Sequence, residues 1–274
     1  MGQYLSYQSE QPEEEQTYQK VPRKYGWRRD KPDFRDYKKD IVEFEHYNEA
    51  LIDMRNKCPE IYDQGHLGSC TANAIAGAYE FNMIKENETK IFIPSRLFIY
   101  YNERKMEGNV DSDSGAEIRD GIKSVNKQGI VPEQDWPYDI SQFKVEPPQK
   151  LYDEAKNHKA VKYQRVKQDL EHIKEVVYQG EPVVFGFAVY ESFESEEVAK
   201  TGNMPMPKKD EELLGGHAVM VVGYNDEKEV MIVRNSWGKD WGDEGYFYMP
   251  YEFITNPDLC SDFWIIKRVE DNIE

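Results

Sequence analysis

After Pro182 the chain changes character. The runs PVVFGFAVY, HAVMVVGY, EVMIVRNS, GYFYMP and DFWIIKRV are short, rich in β-branched and aromatic residues, and separated by Gly, Asn and Asp. That is strand patterning. Upstream, apolar residues recur at helical spacing: Ala72, Ala74, Ile75, Ala78 and Phe81, then RLFIYYNERK behind a capping Ser95, then AEIRDGIKSVNKQ between Gly115 and Gly129. Residues 150–178 are mixed, with a helical stretch, DLEHIKEVVYQG, ending at Gly180. A helical first half and a strand-rich second half predict an α+β fold of two subdomains. We expect a mainly helical subdomain over 51–160 and a β-rich one over 161–274.

The first 50 residues read differently. Residues 1–22 are rich in Gln, Glu and Tyr without hydrophobic periodicity, the pattern of a low-complexity tail. Residues 23–50 are charged but carry Tyr25, Trp27, Phe34 and Tyr37, which points to a segment that docks against something. The opening MGQYLS fits the pattern for N-myristoylation of Gly2, which would anchor the chain to a membrane. No apolar run has the length of a membrane span, and the N-terminus lacks the apolar core of a signal peptide. The expected setting is intracellular or within a virion.

Asp and Glu outnumber Lys and Arg by 52 to 35, a net charge of −17 that argues against nucleic-acid binding. The three cysteines, Cys58, Cys70 and Cys260, form neither a disulfide framework nor a zinc pattern. A pair plus one free thiol stays open. No cofactor or metal is expected, and the chain is expected to be a monomer.

Cys70 sits in YDQGHLGSCTANAIAGAYEF, where an apolar helix pattern begins at the cysteine. A thiol at a helix N-terminus gains from the dipole and free amides, which favour its thiolate. His217 follows Gly215-Gly216 and starts a predicted strand, and Asn235 heads NSWGKDWGDEGYF. Thiol, imidazole and amide in that order suit nucleophilic attack on a carbonyl, with Gln64 and the Cys70 amide as oxyanion donors. Trp237, two residues past Asn235, is placed to shield a His–Asn hydrogen bond from water. Singly, each has a plain reading: a core cysteine, a structural histidine, a turn-rich hairpin.

Together these pieces resemble the papain-like cysteine peptidases, on the xylellain-like bacterial and viral side of that family. The resemblance rests on Gln64 with GSC at 68–70, GGHAVMVVGY at 215–224, NSWGKDWGDEGYF at 235–247, SGAEIRDGIK at 114–123 and QGIVPEQDWPY at 128–138. It implies two subdomains, the second β-barrel-like, with the active site in the cleft between them. It also implies an endopeptidase acting on polypeptides, with Cys70 as nucleophile, His217 as acid/base, Asn235 orienting His217, and Gln64 in the oxyanion hole. Ser114, Gly115, Gly216 and Trp237 would bind substrate, Gly115 through its backbone. Two positions depart from the family pattern: Thr71 replaces an aromatic residue and Leu67 replaces a cysteine. Cys260 then falls loosely near a substrate pocket, or is a packed thiol. Family precursors carry an inhibitory N-terminal stretch, so residues 23–50 are expected to be propeptide-like and to lie near Cys70. The competing reading is a vestigial papain-like scaffold that binds peptides or plays a structural role.

Overall fold

The computed structural model describes residues 20–39, 49–87, 89–158 and 161–268. Most of the tail, with Gly2, and residues 40–48 lie outside them. In chain order the elements are β1 (Trp27–Arg28), β2 (Leu51–Asp53), α1 (Cys70–Lys85), α2 (Arg96–Glu107), β3 (Ala116–Glu117), α3 (Ile118–Gln128), α4 (Gln149–Ala155), β4 (Val161–Arg165), α5 (Leu170–Tyr178), β5 (Val183–Tyr190), α6 (Glu196–Thr201), β6 (Leu213–Asn225), β7 (Val230–Arg234), β8 (Tyr246–Pro250), α7 (Tyr251–Thr255) and β9 (Cys260–Arg268). None of these helices is long and apolar enough to cross a membrane.

The sheet runs β4-β9-β5-β6-β7-β8, antiparallel throughout, and β6 is its spine. β5 pairs with the first part of β6, and β2 takes over the same strand at Gly223–Asn225. Among the described residues the path does not close on itself, so the β half is an open sheet and not a barrel. β2 also shows that the stretch after residue 51 begins in the sheet rather than in the helical half.

α1 is buried along nearly its whole length, from Cys70 to Met83. It is wedged between α2 and α3 on one side and β6 and β9 on the other. Its small residues make this possible: Ala72, Ala74, Ala76, Gly77 and Ala78 keep it thin on several faces. α2 starts where the sequence indicates, with Ser95 Oγ accepting from Phe98 N at 3.1 Å, and ends at Gly108 with φ 75°. α3 starts at Ile118, two residues later than its pattern suggests, because Ala116–Glu117 is drawn into strand pairing with Trp27–Arg28. β4 was hidden in the mixed stretch before α5; it pairs along β9.

Behind α1 lies a fully buried carboxyl. Glu103 Oε1 accepts from Thr71 Oγ1 at 2.6 Å, while Oε2 has no partner among the described residues. Burial pushes its pKa up to about 8, so it is largely a neutral acid at neutral pH. The unfolded chain loses this proton near pH 4.5 and the folded chain near pH 8. Folding therefore becomes less favourable as pH rises through that window. Glu103→Gln keeps the acceptor and removes the titration. Its Tm is expected to gain on the parent's by several degrees between pH 5 and pH 8, read by calorimetry at both.

Candidate active site

Cys70 opens α1, and no side chain caps the helix there. Ser69, the residue in the capping position, turns its hydroxyl to Tyr138 OH at 2.5 Å and to Asn73 Nδ2 at 3.0 Å. The first-turn amides thus have no side-chain cap, and that of Thr71 serves the Cys70 sulfur. The loop before Cys70 is pinned twice. Gly68 N donates to Asp113, at 3.0 and 3.1 Å to its two oxygens, and Tyr138 OH donates to Gln64 O at 2.9 Å.

His217 lies in the middle of β6 rather than at its start, because the strand already begins at Leu213. It sits opposite Phe187 of β5, and the next residue, Ala218, offers its backbone amide to the Cys70 sulfur. Asn235 follows β7 directly. Its Oδ1 meets His217 Nε2 at 2.7 Å and also accepts from Ser236 N at 2.8 Å, which marks that atom as the oxygen. An amide oxygen only accepts, so His217 carries its proton on Nε2 and a lone pair on Nδ1. Nδ1 has no hydrogen-bond partner among the described residues. Trp237 stacks on the imidazole at 4.9 Å between centroids and 25° between planes, covering the His–Asn bond.

The two halves are laced together close to these residues. Gln64 N donates to Ser236 O at 2.9 Å, Ser236 Oγ donates to Gln64 Oε1 at 2.7 Å, and Gly238 N donates to Tyr62 O at 3.0 Å. Arg234, the last residue of β7, passes Gly77 of α1 and donates to Pro59 O at 2.6 Å and Glu60 O at 2.5 Å. Gln64 Nε2 points the other way, to Leu67 O at 3.0 Å and Lys24 O at 3.3 Å.

That last bond introduces a strap, residues 20–39, lying across the site. The backbone amide of Gly26 hydrogen-bonds the Cys70 sulfur, and Gly26 O accepts from Ala116 N at 2.7 Å. β1 then runs parallel to β3 in the register Trp27↔Ala116, Arg28↔Glu117. Gly115, at φ 66°, and Gly216 make room for it, since a Cβ on either would overlap strap backbone. Tyr25 lies edge-on to His217 and Trp237 and donates its hydroxyl to Glu194, and Arg23 covers the Trp237 ring at 4.7 Å. Further along, Asp30 accepts from Trp264 Nε1 at 2.8 Å and pairs with Arg165 at 3.0 Å, and Asp36 pairs with Arg119 at 2.8 Å. Of the four aromatics read as anchors, Tyr25 and Trp27 serve. Phe34 and Tyr37 are exposed, because residues 33–36 make a surface turn instead of continuing extended.

Under the strap Cys70 and His217 are fully buried, and burial dominates their protonation. It pushes the Cys70 thiol up to about 12, despite help from the amides of Ala218, Gly26 and Thr71. It drives His217 down to about 4 against the pull of Asn235. At neutral pH the pair is a neutral thiol and a neutral imidazole.

The structure thus gathers Gln64, Cys70, Gly115, Gly216, His217, Asn235 and Trp237 around strap residues 23–27. Ser114 does not join them; its hydroxyl donates to its neighbour Gly115 O at 3.1 Å. Cys58, Cys70 and Cys260 are all free thiols, and Cys260 is packed in the core opposite Phe187. Sequence reasoning missed Ser236, Gly186 and Asp262. A glycine inside the β-branched run of β5 was the available signal for Gly186, since it marks close approach of another group.

The family model for papain family cysteine protease matches residues 48–260. The chain belongs to the papain family of cysteine proteases. Its sequence is 47% identical over 278 residues to an uncharacterized peptidase C1-like protein of Acanthamoeba polyphaga mimivirus, covering 92% of this chain and 89% of that one. The crystal structure of xylellain, a cysteine protease from Xylella fastidiosa, superposes with a TM-score of 0.84 at 43% identity over 92% of this chain and 99% of that chain. Mouse (Mus musculus) cathepsin S is 26% identical over 212 residues, covering 72% of this chain and 57% of its own. The protein is therefore a papain-like cysteine peptidase with an α+β papain fold, and its substrates are polypeptides.

Proposed function

We propose that this peptidase is an endopeptidase working through Cys70, His217 and Asn235, with Gln64 in the oxyanion hole, and that it is made as a latent precursor closed by its own N-terminal segment. Residues 51–160 and 161–274 then act as the two halves of one catalytic unit, and residues 23–50 as the removable part. The observation that carries the reading is the His217 tautomer. Nε2–H is committed to Asn235, so the free lone pair on Nδ1 is the base available to the Cys70 thiol.

With the strap gone, His217 Nδ1 takes the thiol proton and the sulfur attacks the scissile carbonyl carbon. The carbonyl electrons move onto oxygen, where Gln64 Nε2–H and the Cys70 amide stabilise them. Collapse expels the amine, which takes its proton from His217 and leaves a thioester. Water, deprotonated by His217, attacks the thioester, and the sulfur leaves and recovers the proton. Lys24 O supports the oxyanion assignment, since it already occupies the Gln64 donor as a carbonyl stand-in.

The vestigial alternative predicts a site that neither reacts nor cuts. The test is hydrolysis of a denatured protein substrate by the folded full chain after cleavage beyond Lys39, with end-group analysis for internal cuts. Absence of hydrolysis alongside no reaction of Cys70 with a vinyl sulfone favours the scaffold. In the same assay Asn235→Ala is expected to lower kcat on the order of 10²-fold, the lower end of what general acid–base catalysis contributes, with little change in KM.

A further inference from the structure

The strap leaves an imprint beside Cys70. Trp27 fills a slot whose walls are two glycines on neighbouring strands, Gly186 of β5 and Gly216 of β6. A Cβ on Gly186 would overlap the indole, and one on Gly216 would overlap the Trp27 backbone and ring. The floor is Asp262 of β9, only 5% exposed and held at φ 61°, an uncommon conformation for a residue with a side chain. Asp262 Oδ2 accepts from Trp27 Nε1 at 3.2 Å and from Asp30 N at 2.8 Å. Both donors belong to the strap. Arg165 approaches the other oxygen, Oδ1, at 3.5 Å while also serving Asp30 and Asp36.

We propose that this slot selects substrate once the strap leaves, and that Asp262 selects for a long side chain tipped with a nitrogen donor, arginine first. The proposal rests on the peptidase reading above for what the slot is used for. Departure of the strap removes both donors from Oδ2 at once and leaves a carboxylate oxygen at the bottom of an apolar-walled slot. A buried acceptor without a donor costs more than a missing contact, so a site of this kind rejects side chains that cannot bond to it. The absence of side chains at Gly186 and Gly216 admits a long or flat group. Reach is set by the strap: Trp27 directly follows Gly26, whose amide bonds the Cys70 sulfur, so the slot takes a side chain close to the bond being cut. The charge of −17 on the whole chain adds a long-range attraction for cationic peptides.

The strap itself is a ligand on which this can be measured without any hydrolysis. In the full-length chain, residue 27 is varied and the rate of Cys70 alkylation by iodoacetamide is read by site-resolved mass spectrometry, with Cys58 as internal reference. Trp27→Arg is expected to leave Cys70 protected within about threefold of the parent. Trp27→Met, of similar length but without a donor, and Trp27→Phe are expected to alkylate about tenfold faster or more than Trp27→Arg. In an Asp262→Asn background, which keeps the shape and tolerates the φ, the advantage of Arg over Met disappears. Met or Phe protecting as well as Arg, or an Arg advantage that survives Asp262→Asn, overturns the proposal. A second arm uses the cut chain on peptides that differ only in one residue beside the scissile bond. A preference for Arg over Met of about tenfold in kcat/KM, lost in Asp262→Asn, supports it, and equal cutting of both overturns it. If the cut chain hydrolyses nothing while the alkylation ranking holds, the peptidase reading falls and the selective slot stands.

Discussion

The intact chain is expected to alkylate at Cys70 about 10³-fold more slowly at pH 7.5 than the same chain cut after Lys39 and freed of its N-terminal piece. The reason is the ionisation of the thiol. With a pKa pushed to about 12, only about one part in 10⁴ to 10⁵ is thiolate at that pH. Removing residues 20–39 returns water to the sulfur and to His217, and leaves the uncapped start of α1 to favour the anion. The sign in pH follows. Closure holds the thiol protonated, so the closed form loses ground as pH rises from the open-state pKa toward 12. In the intact chain the alkylation rate should climb about tenfold per pH unit through pH 9 without levelling. In the cut chain it should reach a plateau below pH 8.5. A protease site inserted after Lys39 and cut once the chain has folded gives both forms from one preparation. Equal rates in the two forms would remove the case for latency.

Cys70→Ser is expected to lower kcat/KM of the cut chain on the order of 10⁴-fold or more, as loss of a nucleophile does in a hydrolase where base and nucleophile act as a unit. The exchange replaces sulfur by oxygen at the first residue of α1. It does not disturb α1, whose hold on the fold comes from its alanines and from Phe81, Tyr79 and Met83. Its Tm should match the parent within a degree or two, which separates lost chemistry from lost structure. Residual hydrolysis above about one part in 10² would assign the cutting to another group or to a contaminating enzyme.

The sequence announced the helix–strand division because its cause is local. β-branched runs between turn residues make strands, and alanines at helical spacing make α1. The gathering of Cys70, His217 and Asn235 was legible for a similar reason, since each sits at a fixed offset from glycines or a tryptophan that shape its own turn. The strap was only half legible. Tyr25 and Trp27 look like Phe34 and Tyr37 in the sequence, and what separates them is whether a glycine waits on the other side. Gly215 against Tyr25, and Gly186 and Gly216 against Trp27, supply that clearance, and they lie some 160 to 190 residues downstream. Asp262 was illegible, because its meaning comes from two donors on the far end of the chain. β4 was missed because a strand of alternating Lys, Tyr, Gln and Arg is ordered by its neighbour β9 and not by its own apolar content.

The place of β9 in the sheet bears on how the protein is born. It lies between β4 and β5 although it is the last of the described elements, and it carries Asp262 and Trp264, which contact the strap at Trp27 and Asp30. During synthesis the strap and Cys70 leave the ribosome early, and His217 and Asn235 follow long after them. The sheet that carries His217 lacks an interior strand until residues 260–268 emerge. The strand that completes the sheet therefore also completes the hold on the strap through Asp262 and Trp264, so full closure over Cys70 is expected only once residues 260–268 have emerged.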